Sequence, residues 1–188
     1  MRPTTLSLAA LCILLSLVSR AQVVTNQPAT EIENFELQPD AIIVKGFGDV
    51  GSVSTEGGTV TVRCKESDNL TLNRKEYGIA VTLESSVSHG YLVVDYDELD
   101  SLIHGLDFLS KISYDVTPLP GFDAAITTRS GLRVGAHTER RQSVIELFLQ
   151  FSGSERIPLT PDQFSQLQNL VTQAKTSLDG IRNKSSLP

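Results

Sequence analysis

The chain has 188 residues and carries 16 Lys and Arg against 22 Asp and Glu, a net charge of −6. That acidic balance excludes nucleic acid as an expected partner, because phosphate recognition asks for a basic face. With no Trp and four Tyr, few rings are present on which a sugar could stack.

Arg2 opens the chain, and residues 6–18 follow as an apolar run without a charge. Ser19-Arg20-Ala21 then places small residues at the −3 and −1 positions of a cleavage site. The expectation is a secretory signal peptide over residues 1–21. The run is shorter than the roughly 20 apolar residues of a spanning helix, so no stable membrane span is expected after cleavage. Cys12 lies inside the run behind Leu11, where lipid attachment would want a small residue. Removing this segment leaves 167 residues, with 14 bases against 22 acids and a net charge of −8. That is enough chain for one domain with its own core. Cys64 is then the sole cysteine, so stability must come from burial instead of a disulfide.

Residues 22–34 read as a flexible N-terminus. Short β-type runs follow at 41–45, 58–64, 77–83 and 91–94, separated by Gly, Asn, Ser and Asp. In the second of these, Cys64 alternates in phase with Val60 and Val62, which predicts a buried strand position. Leu99, Leu102, Ile103, Leu106 and Leu109 then recur at helical spacing, predicting an amphipathic helix over 97–111. Pro118 and Pro120 break the chain, and β-type runs resume at 122–128, 132–137 and 144–151. A second helix is predicted over 161–179 from Phe164, Leu167, Leu170, Val171, Ala174 and Leu178, with a stop near Gly180. Residues 181–188 read as a flexible tail.

The two helix starts match at an offset of 65 residues. Asp95 followed by Glu98, and Thr160 followed by Gln163, each spell a reciprocal capping box. The same offset aligns Leu102 with Leu167, Leu106 with Val171, and the run 79–83 with 144–148. The expected fold is therefore α+β: an antiparallel sheet with two amphipathic helices on one face, in one domain over 35–180. Two tandem strands-then-helix repeats are expected at 52–111 and 124–179.

Several motifs imitate known chemistry and fail on spacing. Gly46-Phe47-Gly48-Asp49-Val50-Gly51 spells G-x-G-x-x-G, with Glu66 20 residues past Gly46. A dinucleotide site needs a helix to open at the third glycine. A β and turn pattern follows here instead, so the glycines are expected at bends between strands. Ser67-Asp68-Asn69 and Lys175-Thr176-Ser177 resemble motifs of the penicillin-recognising serine enzymes, but no Ser-x-x-Lys nucleophile lies upstream. Asp95, Asp97, Glu98 and Asp100, with Asp107 further on, crowd one helix start without EF-hand spacing; capping and the helix dipole account for them. His89, His104 and His137 show no zinc-ligand spacing, and no G-x-S-x-G elbow is present. Arg129, Arg133, Arg140 and Arg141 cluster on one expected hairpin as a charged strand edge. Asn69-Leu70-Thr71 and Asn183-Lys184-Ser185 match glycosylation sequons. No catalytic residue, cofactor or metal ligand is therefore assigned from the sequence.

Arg74-Lys75-Glu76-Tyr77-Gly78, and Asp95-Tyr96-Asp97-Glu98-Leu99-Asp100-Ser101-Leu102, together with the signal peptide, resemble a family of small exported bacterial proteins of unknown function. The resemblance spans about 35–178 and implies a bacterial source and an extracytoplasmic site. The functional expectation is a non-enzymatic binding or scaffold domain, periplasmic or secreted, that meets an envelope protein or a small ligand. The alternative is an unrecognised hydrolase with a dispersed active site. Residues 22–115 hold 16 acids and 6 bases, and residues 116–188 hold 6 acids and 8 bases. That asymmetry is compatible with a homodimer.

Overall fold

A computed structural model describes residues 29–85, 89–138 and 144–185. The expected signal peptide, with Cys12, lies outside the described residues, as do Arg140 and Arg141. A short helix, α1 (Glu31–Glu36), opens the fold. Four antiparallel strands follow in sequential order: β1 (Ile43–Thr55), β2 (Gly58–Asn69), β3 (Arg74–Glu84) and β4 (His89–Asp95). A 3-10 turn over Tyr96–Glu98 leads into α2 (Leu99–Ser110). The pattern then recurs with β5 (Asp123–Thr127), β6 (Arg133–His137), β7 (Glu146–Gln150) and β8 (Arg156–Leu159), followed by α3 (Pro161–Ser185). These strands also form a sequential antiparallel sheet. The fold is α+β, with two similar four-stranded blocks each followed by a helix.

The architecture departs from one sheet with both helices on a single face. There are two sheets, and each helix crosses over to serve the other block. The first block's helix, α2, lies on β5 and β6, whereas α3 lies mainly across β1 and β2, touches β3, β7 and β8 more lightly, and also meets α2. The inner sheet faces and both helices share one apolar core, which includes Val60, Val62, Ile79, Val81, Leu102, Leu106, Val134, Leu149, Phe164, Val171 and Leu178. Burying side chains of this size is worth about 1.5–3 kcal/mol each. Neither block could keep that gain alone, because its inner face would lose the helix that covers it.

Four local expectations need correction. The helix α1 occupies residues expected to begin as a flexible terminus. Thr30 and Glu33 form a capping box at its start, and Ile32 and Phe35 are buried, with α1 seated against β2, β3 and β4. The six-residue glycine motif does not sit at bends between strands. It runs inside β1, where Gly46, Gly48 and, after a bulge between Asp49 and Gly51, Gly51 pair with Glu66, Cys64 and Val62 on the inner face. A Cβ on Gly51 would stand 2.7 Å from Leu170 Cδ2, so the glycine lets α3 approach the strand. The strand β8 was not anticipated, because it has four residues and contains Pro158. Finally, α3 continues through Gly180 to Ser185. Cys64 is buried at 6% exposure, in phase with Val60 and Val62 as its alternation predicts, and burial pushes its thiol pKa up.

Candidate functional site

The β1–β2 turn, the end of β3 and the start of β4 meet the β7–β8 hairpin of the second sheet, and a cleft opens along that seam. Two glycines permit the approach. A Cβ on Gly57, between β1 and β2, would lie 2.9 Å from Ile157 Cγ1, and one on Gly90 of β4 would lie 2.8 Å from Phe151 Cδ1. The cleft encloses about 500 Å³, within the range of about 300–1,000 Å³ typical of small-molecule sites. Leu83, Phe151 and Ile157 supply a buried apolar floor, while His89, Ser152 and Glu155 stand exposed on the rim.

The rim is fixed by the turn between β7 and β8. Ser154 Oγ accepts from the Phe151 amide at 3.1 Å and donates to the Phe151 carbonyl at 2.9 Å. Gly153 takes φ 75°, the left-handed conformation that this turn requires. Arg156 borders the cleft but directs its charge elsewhere. Its guanidinium lies 4.3 Å from the Phe148 ring centroid and bonds Asp123 at 2.5 Å on the opposite sheet face. The cleft is thus an apolar slot with a polar lip, shaped by the hydrogen-bonded turn between β7 and β8.

Three charged clusters surround the core, and each joins elements distant in sequence. In the first, Lys65 is only 3% exposed on the outer face of β2, and its Nζ lies 2.7 Å from Glu36 Oε1 of α1. Lys45 and Ser67 reach the same carboxylate, each at 2.5 Å. Burial pushes the Glu36 carboxyl up, but the hydrogen bonds from Lys45, Lys65 and Ser67 outweigh it and hold the pKa below its ordinary value.

The second cluster gathers around Arg129, in the turn between β5 and β6. Its guanidinium pairs with Asp95 at 2.9 Å, Glu31 at 3.2 Å and also Asp97. Asp95 in turn accepts from the Glu31 and Ile32 amides at 2.7 and 3.0 Å, so it caps α1 from across the fold. Hydrogen bonding to Asp97, with the nearby charges of Glu98 and Asp95, raises the Arg129 pKa further.

In the third cluster, Tyr96 donates to Asp179, and Lys175 Nζ donates to the same carboxylate at 2.9 and 3.0 Å. Lys175 and Arg182 both stack on the Tyr96 ring, at 4.7 and 3.8 Å. The Tyr96 hydrogen bond, aided by Lys175, lowers the Asp179 pKa. Burial pushes Lys175 down, but Asp179 and Tyr96 outweigh that and raise its pKa.

The motifs that imitated catalysis fall into these frameworks. Asp95 and Glu98 are engaged in capping and in holding Arg129, and among the described residues no group of three or more His, Cys, Asp or Glu could hold a metal. Ser67 and Asn69 are buried at the end of β2, where Asn69 donates to Gln38 at 2.9 Å and accepts from the Leu72 amide. Asn69 is therefore inaccessible in the fold as a glycosylation acceptor, at 0% exposure. Lys175, Thr176 and Ser177 lie within α3. The histidines sit on three elements: His89 on β4 at the cleft, His104 on α2, and His137 on β6 with its Nε2 3.4 Å from Glu146. Arg133 bonds Asp123 at 2.7 Å and lies over Phe148, whereas Arg129 holds the two blocks together.

Sequence reading missed the cleft altogether. Its lining combines the consecutive residues 151–158 with Gly57, Leu83, Ser85, His89 and Gly90, which come together only in the fold. No family model, curated protein or solved structure matches the chain. Among the described residues no helix is long and apolar enough to cross a membrane.

Proposed function

We propose that this chain is an exported, non-enzymatic binding or scaffold protein of the bacterial periplasm or exterior, and that its ligand occupies the cleft between the two sheets. The observation that supports this is the cleft itself: about 500 Å³ with an apolar floor and a polar rim. It suits a small, largely apolar molecule carrying one or two polar groups. The charged clusters elsewhere hold α1, α2, α3 and the strand blocks to one another, so their side chains already have partners. Under this reading the two blocks descend from one duplicated strands-then-helix unit. Their common strand order and the helix starts at Asp95 and Thr160 support that descent. The resemblance to small exported bacterial proteins belongs to the same proposal.

The test is a thermal-shift screen of small amphipathic compounds, with hits confirmed by calorimetry on the Ser152→Trp variant. Filling the slot from its exposed rim is expected to abolish binding while leaving the fold unchanged. Hits that bind the variant as tightly as the parent would place the site elsewhere. One feature favours the hydrolase alternative: His89, Ser152 and Glu155 share the rim. Turnover of an activated ester that disappears in His89→Ala would support that reading over the binding one.

A further inference from the structure

Among the described residues, the N-terminal half of β1 is an open sheet edge. The strand lies at the end of its sheet, and six consecutive residues, 44–49, are exposed. Its other half is closed off: Gln163 Nε2 donates to the Ser54 carbonyl at 2.8 Å, and β8 packs nearby. A long uncovered edge offers unpaired amides and carbonyls to another strand.

The direction of those groups follows from the register. The Leu70 amide donates to the Ile42 carbonyl at 3.0 Å, which makes that opposed pair hydrogen-bonded. Antiparallel pairs alternate between bonded and non-bonded, so Val44, Gly46 and Gly48 point their backbone groups at β2. Lys45, Phe47 and Asp49 therefore point theirs outward. The side chains of these same three residues share the outer sheet face, opposite Ser67, Lys65 and Arg63.

This edge is complementary to itself. A two-fold axis through Phe47 sets Phe47 against Phe47 of a second copy and sets Lys45 against the copy's Asp49, twice. All three pairs are of the hydrogen-bonded kind, as the outward backbone groups require. Opposite charges directly across strands stabilise such a pairing. Inside one copy Lys45 already meets Glu36 at 2.5 Å, and Asp49, 81% exposed, meets Arg63 at 2.7 Å. Across the axis these join into a row of alternating sign: Glu36, Lys45, then the copy's Asp49 and Arg63. Gly46 and Gly48 bring no side chain to obstruct the other face.

We propose that this chain forms a two-fold dimer by antiparallel pairing of residues 45–49 of β1 in two copies, which joins two four-stranded sheets into one of eight strands. The interface is isologous, as two-fold symmetry demands. Its few paired residues place it among small interfaces, below about 1,200 Å² of total buried surface, so the dimer dissociates on dilution.

Sedimentation velocity over a concentration series tests this on the purified protein, alongside Phe47→Pro. That substitution removes an outward amide without taking a bond from the β1–β2 ladder. The expected result is a concentration-dependent dimer that becomes a monomer in the variant. Phe47→Cys keeps the test decisive if the proline variant misfolds. With Cys12 replaced by serine and Cys64 buried, a short bismaleimide should couple Cys at position 47 to its counterpart, since opposed bonded residues have Cα atoms about 5.5 Å apart. Lys45→Cys should not couple to itself, because its counterpart lies about four residues along the strand, roughly 13 Å away. A monomer at every concentration overturns the proposal. So do open-ended assemblies, a dimer that survives Phe47→Pro, and coupling through position 45 in place of 47.

Discussion

Glu36→Ala tests how α1 is held to the sheet. The carboxylate is the ion-pair partner of Lys65, whose side chain is 3% exposed, and Glu36 itself is 9% exposed. Removing one member of a buried pair strands the other charge, which typically costs about 3–5 kcal/mol. The ammonium can relieve part of this by shifting toward water, which places the expected loss near the lower bound, about 3 kcal/mol. For a chain of this size each kcal/mol moves Tm by roughly 2–4 °C, so a fall of about 6–12 °C is expected. Lys65→Met removes the stranded charge while keeping most of the apolar stem. The double variant should therefore recover most of the loss, because replacing a buried pair by apolar groups is often close to neutral. Urea unfolding of the four proteins, with matched m-values, measures the cycle. A cost under about 0.5 kcal/mol for Glu36→Ala, or no rescue by Lys65→Met, would contradict a buried ion pair at this site.

Gly135→Ala should be destabilising by about 1–3 kcal/mol through overpacking, since its Cβ would stand 2.5 Å from Phe148 Cζ and 2.6 Å from the Ala124 carbonyl oxygen; a Tm within error of the parent would contradict this. Stability should fall at both pH extremes. The Glu36 and Asp179 pKa values are lowered in the fold, so their contribution is present above the ordinary carboxylate range of about 4 and is lost as pH drops through the folded values. The Lys175 pKa is raised, so its contribution is full below the ordinary lysine value of about 10.4 and is lost as pH climbs through the folded value. Thermal unfolding from pH 3 to 11 should show both limbs, and Asp179→Asn should flatten each of them. A chain ending after α2 should lack cooperative unfolding in calorimetry, because α2 lies on the second block and α3 on the first; a sharp transition would refute the crossed packing.

The helices were legible because their apolar stripes recur at a fixed spacing, and α2 and α3 both begin within three residues of their predicted starts. The 65-residue offset held more than was drawn from it. Shifting the predicted strand 91–94 by that offset lands on 156–159, which is β8 (Arg156–Leu159). Strand composition alone hid it, since Pro158 argues against a central strand and an edge position tolerates it. The start of α1 was also written in the sequence: Thr30 and Glu33 bracket it as a capping box, but six residues are too few for a helical period to emerge. The glycine motif misled because spacing cannot show whether glycines make a turn or clear space for a helix. Only Gly51 does the latter, where a Cβ would stand 2.7 Å from Leu170 Cδ2; Gly46 and Gly48 simply continue the ladder opposite Glu66 and Cys64. The cleft was beyond local reading, because it exists only where Gly57 and Gly90 let two separate sheets touch.

If ligand enters this seam, amide chemical-shift mapping during titration with a confirmed amphipathic hit will locate it there. The predicted result is saturable shifts concentrated at Gly57, Gly90, Ser152 and Gly153, with α1 and the β1 edge unmoved. Saturable shifts centred on Arg129, on Lys175 or on residues 44–49, with the seam silent, would contradict it.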